Sequence, residues 1–517
     1  MTNRERISGV DTAWLRMEQP TNLMMIVGVM MFERRLSLRD VKRIVQRRFL
    51  AYRRFRQRAV QEAAGAWWED ADDFDIDRHV QRVSLSGKAG KEELEALVSE
   101  LASTPLDFAR PLWEFHLVDN YDGGAALVMR IHHCYADGIA LIQVMLSLTH
   151  ESAEGSLRLP RETVEAQSSG ESDLWEQILK PLAGALGGAA QLGRGLLAQG
   201  RGLAGNPKVA AGAVQEAARK GVGFVGEVAR LVLMGRDAAT RFKGKLGTAK
   251  RVAWAEPLPF EEVKVVGKAL GCSINDVLLS MAAGALRDYL LDQGDDVAGL
   301  EIRAIVPVNL RPPGAGCSLG NHFGLVFLDL PIGMEHPLER LYEIRHRMLA
   351  LKGSYQPIIA LGLLNAVGYG PKALQEQVTG LLGNSASAVM TNVPGPQQPL
   401  YFAGKRILEL DFWVPQSGGI GMGVSILSYD GRIQFGVITD AGLVPDPDAI
   451  VGRFADEFDK LMWVTLMSPW GGEATSEAGP ERPTADVVPA PDKDVRGQAP
   501  AGTRSSKMKV PKRFRNL

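Results

Sequence analysis

Apolar positions along the chain fall into two kinds of run. Met25-Ile26-Val27-Gly28-Val29-Met30-Met31-Phe32 is nearly unbroken, and residues 125–131 are interrupted only by Arg130. Runs of that length and continuity predict largely buried strands. Between residues 38 and 59 the apolar positions Val41, Ile44, Val45, Phe49 and Leu50 recur at helical spacing on an otherwise basic stretch. Residues 91–103 and 139–148 read as two more helices, and Ser8 opens a short polar turn ahead of the first strand. A second half begins near Val252, where residues 260–270 and 274–291 predict helices and residues 302–310 and 325–330 predict strands. Residues 420–428 and 432–439 flank Tyr429-Asp430-Gly431, whose Asp-Gly pair marks a hairpin. Helices and strands intermingle in both halves without strict alternation, which predicts an α/β protein of two sandwich-like domains.

Length and charge refine that outline. A chain of 517 residues with 45% hydrophobic content has material for more than one core. Its net charge of −1 argues against nucleic acid as a bulk partner. Cys134, Cys272 and Cys317 are too few and too scattered for a disulfide scaffold or a zinc ribbon, and suit a reducing, cytoplasmic setting. The charged start carries no apolar stretch of a secretory signal. Residues 357–371 form the longest weakly polar run, short of the ~20 residues that span a bilayer and broken by Asn365 and three glycines.

The near-zero total conceals an asymmetry. Residues 177–251 hold thirteen Lys/Arg against Glu216, Glu227 and Asp237. Leu and Ala recur there at helical spacing, but glycines such as Gly184, Gly187, Gly188 and Gly193 disfavour a free-standing helix. Two readings stand: an interdomain linker packed on the body, or a basic amphipathic stretch ordering on an anionic lipid surface. Residues 471–502 are rich in Pro, Ala and acids and lack the apolar residues to fold. Residues 504–517 carry six basic residues and no acid, which makes either a solvated tail or an electrostatic lipid anchor.

The sharpest chemical feature is Ile131-His132-His133-Cys134-Tyr135-Ala136-Asp137-Gly138. A buried strand brings two histidines to a turn, Asp137 is placed to cap the following helix, and Gly138 permits a tight backbone path. An imidazole at such a strand end, with an ordinary pKa of about 6.5, suits a general base that takes the proton of an attacking alcohol. Three other readings compete. His132, His133 and Asp137 as metal ligands suffer because adjacent strand residues point to opposite faces. A structural pair of core histidines is the second, and a Cys134 nucleophile beside a histidine is the third.

The H-H-x-x-x-D-G pattern, His132 to Gly138, resembles the signature of the chloramphenicol acetyltransferase-like superfamily. Further blocks narrow the resemblance to the bacterial wax ester synthase/acyl-CoA:diacylglycerol acyltransferase family. They are Ser8-Gly9-Val10-Asp11-Thr12-Ala13-Trp14, Phe74-Asp75-Ile76-Asp77-Arg78-His79-Val80, Pro111-Leu112-Trp113-Glu114 and Ile274-Asn275-Asp276-Val277-Leu278. Val306-Pro307-Val308-Asn309-Leu310-Arg311, Gly320-Asn321-His322-Phe323-Gly324 and Thr391-Asn392-Val393-Pro394-Gly395-Pro396 follow in order. The resemblance covers residues 7–467. The D-F-G-W-G block of many superfamily members is absent, so nothing assigned to that block carries over.

This resemblance implies two chloramphenicol acetyltransferase-like α/β sandwich domains, residues 1–160 and 252–470, joined by the basic helical linker at 161–251, while composition alone makes 471–517 a disordered tail outside it. The active site would lie in the interdomain tunnel. His133 is then the base, His132 a supporting residue, and Asp137 a structural acid paired with an unidentified arginine. Asn275 and Asp276 match an N-D pair that either donates to an oxyanion and supports the cleft or merely caps a helix. Gly138 belongs to the motif turn. Pro111, Leu112 and Trp113 read as packing beneath the site, and Asn321 and Asn392 as hydrogen-bonding across the domain interface. The implied reaction moves a long-chain acyl group from acyl-CoA, a co-substrate, to diacylglycerol or a fatty alcohol, with no metal or other cofactor and with peripheral contact to membrane or lipid inclusions. Residues 357–370 line the acceptor route, touch a lipid surface or pack in the core. The alternatives are a carrier-protein thioester donor, a glycerolipid acyltransferase with the H-x-x-x-x-D spacing of His132 and Asp137, and a non-catalytic coat on lipid inclusions.

Overall fold

The computed structural model describes residues 4–62, 65–158, 234–311, 319–370, 375, 380, 383–416 and 418–467. The first half runs β1 (Glu5–Arg6), α1 (Gly9–Met17), β2 (Met25–Phe32), α2 (Leu38–Ile44), β3 (Gln57–Glu62), β4 (Gly65–Asp70), α3 (Ile76–His79), β5 (Val80–Val83), α4 (Lys91–Ser103), β6 (Trp113–Val118), β7 (Ala125–His132), α5 (Gly138–Ser147) and α6 (Ala153–Leu157). The second half continues β8 (Lys250–Trp254), β9 (Leu258–Pro259), α7 (Phe260–Ala269), α8 (Ile274–Asp292), β10 (Ile302–Asn309), β11 (Phe323–Leu330), α9 (Pro337–Lys352), α10 (Gln356–Tyr369), β12 (Ala388–Pro394), β13 (Tyr401–Phe402), β14 (Lys405–Trp413), β15 (Met422–Tyr429), β16 (Arg432–Asp440) and α11 (Asp448–Met467).

Two sheets organise these elements. The first has the order β13-β14-β2-β7-β6-β5, and the second β11-β10-β12-β15-β16-β8, with β9 also on β16. A small sheet β1-β4-β3 stands apart from both. The period-two alternation of strands divides the second sheet between two cores. Ala304, Val306, Val326, Leu328, Ala388 and Met390 face a core built with α7, α8 and α11. Their neighbours Ile305, Leu325, Phe327, Val389 and Val393 join the core of the first half instead. The hairpin at Asp430-Gly431 forms as its sequence predicts, with both residues at positive φ, 47° and 72° and Tyr429 opposite Arg432.

The two halves are interlocked, and residues 4–467 fall within one compact unit. β14 leaves the second half and pairs antiparallel with β2, from Ile407 opposite Phe32 to Trp413 opposite Val27. In the other direction α4 closes the edge of β8. The Ser103 and Ser99 hydroxyls accept from the Lys250 and Val252 N–H groups at 2.8 and 2.9 Å, and Glu95 accepts from Trp254 N–H at 3.3 Å. Four helical residues rise about 6 Å and two strand residues about 6.6 Å, so side chains every fourth position meet N–H groups every second one.

Several expectations change. The polar turn after Ser8 is helix α1, capped by the Ser8 hydroxyl on Asp11 N–H. The helix expected over 38–59 ends at Ile44, passes through a π turn and a 3-10 turn, and becomes β3 at Gln57. Phe49 and Phe55 stack at 3.9 Å across that break, a packing gain that no helical period encodes. Most of the 161–251 linker lies outside the described residues. Its described end, 234–249, is irregular rather than helical. Asp237 accepts there from Arg303 N–H and the Ser387 hydroxyl. Lys250 and Arg251 already belong to β8, and β13 and β14 make 401–413 part of the first sheet, so the division at 252 does not hold. The tail lies outside the described residues.

Candidate active site

β7 ends between two backbones. His132 N–H donates to Leu112 O at 2.9 Å and His133 N–H to Met24 O at 2.7 Å. Strand alternation sends the two rings to opposite sides. His132 is fully buried. Its Nδ1 accepts from Cys134 N–H at 3.1 Å, which puts the proton on Nε2, and Nε2 donates to Glu18 Oε2 at 3.0 Å. Glu18 also accepts from Met24 N–H at 2.8 Å, so His132 ties the motif turn to the segment entering β2.

His133 faces an apolar cleft. Its ring stacks on Trp14 at 4.0 Å and lies 5.8 Å from Phe323, and its Nδ1 has no hydrogen-bond partner among the described residues. Burial pulls its pKa down to about 4, opposed by the Asp137 charge, so the ring is neutral at neutral pH. The Asn321 amide donates to the His133 carbonyl at 2.8 Å and to Asp11 Oδ1 at 2.6 Å. Burial raises Asp11 to about 6 against the hydrogen bonds from Asn321 and Ser8.

Asp137 holds the other end of the turn. Its carboxylate accepts from Ala140 N–H at 3.0 Å and from His322 N–H at 2.9 Å. The Arg311 guanidinium contacts both its oxygens, at 2.8 and 2.7 Å, and donates to Gly320 O at 2.8 Å. Arg311 is therefore the arginine that pairs with Asp137. Gly138 departs from expectation. Its φ is not positive and a Cβ there would meet nothing within 4 Å, so the backbone path does not demand glycine. Because Gly138 lines the cleft, its missing side chain instead keeps space open beside His133.

The cleft encloses about 740 Å³, including its mouth, between α5, β10, β11, β12 and the end of β14. Gly138 and Ile139 place the positive end of α5 on its wall. Thr391 also lines it, with a buried hydroxyl that has no partner among the described residues. Asn275 stands one step behind, accepting from Asn392 at 2.9 Å, and Asn392 lines the cleft. Asp276 does not share that support role. It is spent on a capping box, accepting from Ser273 N–H at 2.9 Å while its own N–H donates to the Ser273 hydroxyl. Asn321 crosses between the halves as expected, whereas Asn392 bonds within the second half.

Other candidates are structural. Trp113 is fully buried, donates to Phe55 O at 2.8 Å and stacks on His79. Cys134 is fully buried and its thiol is pushed well above the usual range, which disfavours a thiolate nucleophile. Helix α10, which covers most of 357–370, packs on α1 and β11, and none of its described side chains lines the cleft. Trp14, Arg311, Asn321 and Thr391 all stand in blocks that the sequence singled out, but their contacts join residues far apart in the chain. Glu18 carries no local signal at all.

Residues 7–278 match the wax ester synthase/diacylglycerol acyltransferase catalytic domain, and residues 319–462 match the C-terminal domain of the same family. A probable diacylglycerol O-acyltransferase of Mycobacterium tuberculosis is 28% identical over 404 residues, 77% of this chain and 81% of the relative. The O-acyltransferase WSD of Acinetobacter baylyi is 26% identical over 402 residues, covering 76% and 82%. The solved wax ester synthase/diacylglycerol acyltransferase of Marinobacter aquaeolei VT8 has the same fold, with a TM-score of 0.63 at 19% identity over 90% of this chain and all of that one. With both family domains matched in order around a cleft that holds the second histidine of the motif, the chain belongs to the wax ester synthase/diacylglycerol acyltransferase family.

Proposed function

We propose that the protein transfers a long-chain acyl group from acyl-CoA directly to the hydroxyl of diacylglycerol or of a fatty alcohol, with His133 as the base. The acceptor hydroxyl gives its proton to the neutral imidazole as its oxygen attacks the thioester carbon. The carbonyl becomes a tetrahedral oxyanion, the carbon–sulfur bond breaks, and the departing thiolate takes the proton back from the imidazolium. One base serves both transfers, so no acyl-enzyme is needed. The developing oxyanion would be met by the first turn of α5 and the Thr391 hydroxyl, both on the wall of the cleft. An apolar surround strengthens these interactions relative to water. His132 and Asp137 hold the turn and do not touch the reacting atoms.

The observation that carries this reading is the burial of a neutral, incompletely hydrogen-bonded His133 in an apolar cleft between the two halves. Its test is thiol release from palmitoyl-CoA with diacylglycerol and hexadecanol offered in parallel and the product esters resolved. Wild-type protein should release thiol only with an acceptor present and form the matching ester. Folded His133→Ala protein should do neither. Wild-type turnover by that variant would remove His133 from the mechanism.

A cytoplasmic protein in peripheral contact with a membrane or lipid inclusion fits these substrates. Trp463, Leu466 and Met467 support that reading. They are 61%, 66% and 80% exposed, and their i, i+3, i+4 spacing puts them on one face at the end of α11. Among the described residues no single helix is long and apolar enough to cross a membrane.

A further inference from the structure

Three rings meet on the wall of the cleft. Trp14 lies over His133, with ring centroids 4.0 Å apart and planes only 19° from parallel. Phe323 stands further off, 5.8 Å from His133 and tilted. Trp14 and Phe323 both line the cleft beside the base. Contacts between distant parts of the chain set this stack. Ser8 caps α1, and Asp11 and Trp14, three residues apart, share one face of that helix. The Asn321 amide bonds both Asp11 Oδ1 and the His133 carbonyl, which fixes the spacing between α1 and the end of β7. With that spacing held, the next turn of α1 brings the indole over the imidazole.

A buried tryptophan usually spends its N–H on a partner. Trp113 does so, donating to Phe55 O at 2.8 Å. Trp14 is buried as well, yet its Nε1 has no partner among the described residues. Its contact with His133 is made through the face of the ring.

Acyl transfer turns this imidazole into an imidazolium for as long as it holds the acceptor's proton, and burial opposes that charge. The ionisable groups around the ring offer little relief. Asp137 favours the charge, but its carboxylate is paired with Arg311. His132 disfavours it and donates away from His133, to Glu18. Asp11 is engaged by Asn321, and His322, itself beside Arg311, brings no negative charge. An indole face carries the negative part of the ring quadrupole, and tryptophan is the best side chain for holding a cation within about 6 Å. That attraction is far weaker for a neutral ring, so it acts on the transition state more than on the resting site. We propose that Trp14 is a catalytic residue of this site, whose indole face stabilises the imidazolium that His133 becomes during acyl transfer. The inference rests on the acyl-transfer reading above. No bond to Trp14 forms or breaks, since the proton passes from the acceptor hydroxyl to His133 and on to the departing thiolate.

The test replaces Trp14, alone among the nine tryptophans, with mono-, di- and tetrafluorotryptophan by site-specific incorporation. Fluorine drains electron density from the ring face and nearly preserves its shape, so packing stays while cation binding weakens. Single-turnover ester formation, from palmitoyl-CoA and whichever of diacylglycerol or hexadecanol the wild type accepts, reads the chemical step free of product release. The rate should fall stepwise with fluorination, reaching about 30-fold at tetrafluorotryptophan, the equivalent of about 2 kcal/mol for a desolvated cation–π contact. Affinity for the thioester should not change. Trp14→Leu, apolar but without a π face, should match the tetrafluoro protein, and the fluorinated series stands by itself should that variant not fold. Level rates across the series would overturn the assignment, as would a loss confined to thioester affinity. A rate that rises with fluorination would overturn it too, because fluorine strengthens the indole N–H as a donor and would mark Nε1 as the working atom. In each of these outcomes wild-type transfer survives. A wild-type protein that forms no ester would remove the reaction itself, and the role of Trp14 with it.

Discussion

Arg311→Ala should disable the site without removing any group that touches substrate. The wild-type guanidinium spans both oxygens of Asp137 and donates to Gly320 O, with the two charged side chains only 6% and 5% exposed. Removing the arginine leaves a buried carboxylate with the Ala140 and His322 N–H groups as its remaining partners. Breaking one member of a buried pair costs about 3–5 kcal/mol. The two surviving hydrogen bonds place this case near the lower end, about 3 kcal/mol. Asp137 and His133 bracket a single turn, and a displacement of about 1 Å at a reacting group costs about 100-fold in rate. The expected result is a kcat about 100-fold lower with KM for palmitoyl-CoA nearly unchanged, because the guanidinium is consumed within the protein. Arg311→Lys should fall between, keeping the charge on Asp137 but losing the second arm that donates to Gly320 O. Thiol release gives the rates, and urea unfolding gives the stability. A raised KM at unchanged kcat would make Arg311 a thioester-binding residue and refute the reasoning. So would Arg311→Ala protein with wild-type turnover and a stability loss under about 0.5 kcal/mol, the range of an indifferent surface change.

Three further outcomes follow from the site. The base must be neutral to act, and burial holds His133 at about 4, so kcat/KM should stay level down to about pH 4 and fall about tenfold per unit below it. The stability linked to this depressed pKa is present above about 6.5 and lost as pH falls toward 4, so rates should be read after brief acid exposure. An acid limb near 6 that vanishes in Asp11→Asn would transfer control to Asp11, whose pKa is about 6. Glu18→Gln should weaken the anchor of His132, costing about 1.5–3 kcal/mol for a hydrogen bond to a charged group and roughly tenfold in kcat. Its acid limb should not move, and a shifted limb would make Glu18 part of the proton path. Trp463→Ser with Leu466→Ser should abolish co-flotation with anionic vesicles while leaving turnover of a short soluble donor intact, and unchanged flotation would exclude this face as the lipid contact.

The elements legible in the sequence are those whose local pattern agrees with their final environment. β2 and β7 are unbroken apolar runs buried on both faces, and they lie within a residue of where the pattern puts them. β14 escapes because Lys405, Arg406, Glu409 and Asp411 read as loop, and the bulge after Ile407 spoils its alternation. Asp411 is buried, and its carboxyl is pushed well above the usual range. A strand that carries such a group is recognisable only from the partners it reaches in the other half. The site divides in the same way. His132, His133, Asp137 and Gly138 occupy one short motif, and the alternation of β7 correctly separates the two rings. Arg311 and Asn321 act on that motif across 174 and 188 residues, beyond the reach of any periodicity. Gly138 is the converse case, because cleft space rather than backbone conformation accounts for its glycine.

Why a catalytic turn should be fastened this way follows from its position. On the reading proposed above His133 works as a neutral, unsolvated ring, and a buried carboxylate at hydrogen-bond distance would favour its protonated form. The fastening is moved to the backbone and to the next residues along. Asn321 grips the carbonyl of His133, and Arg311 grips Asp137 four residues later. Both come from the stretch that joins β10 to β11, in the second half. The turn is therefore in place only when the two halves are docked, and that docking is secured by β14 in the first sheet and by α4 on the edge of β8. Loosening this interface should release the catalytic turn before either core melts, so loss of transfer should precede loss of helical signal as urea rises.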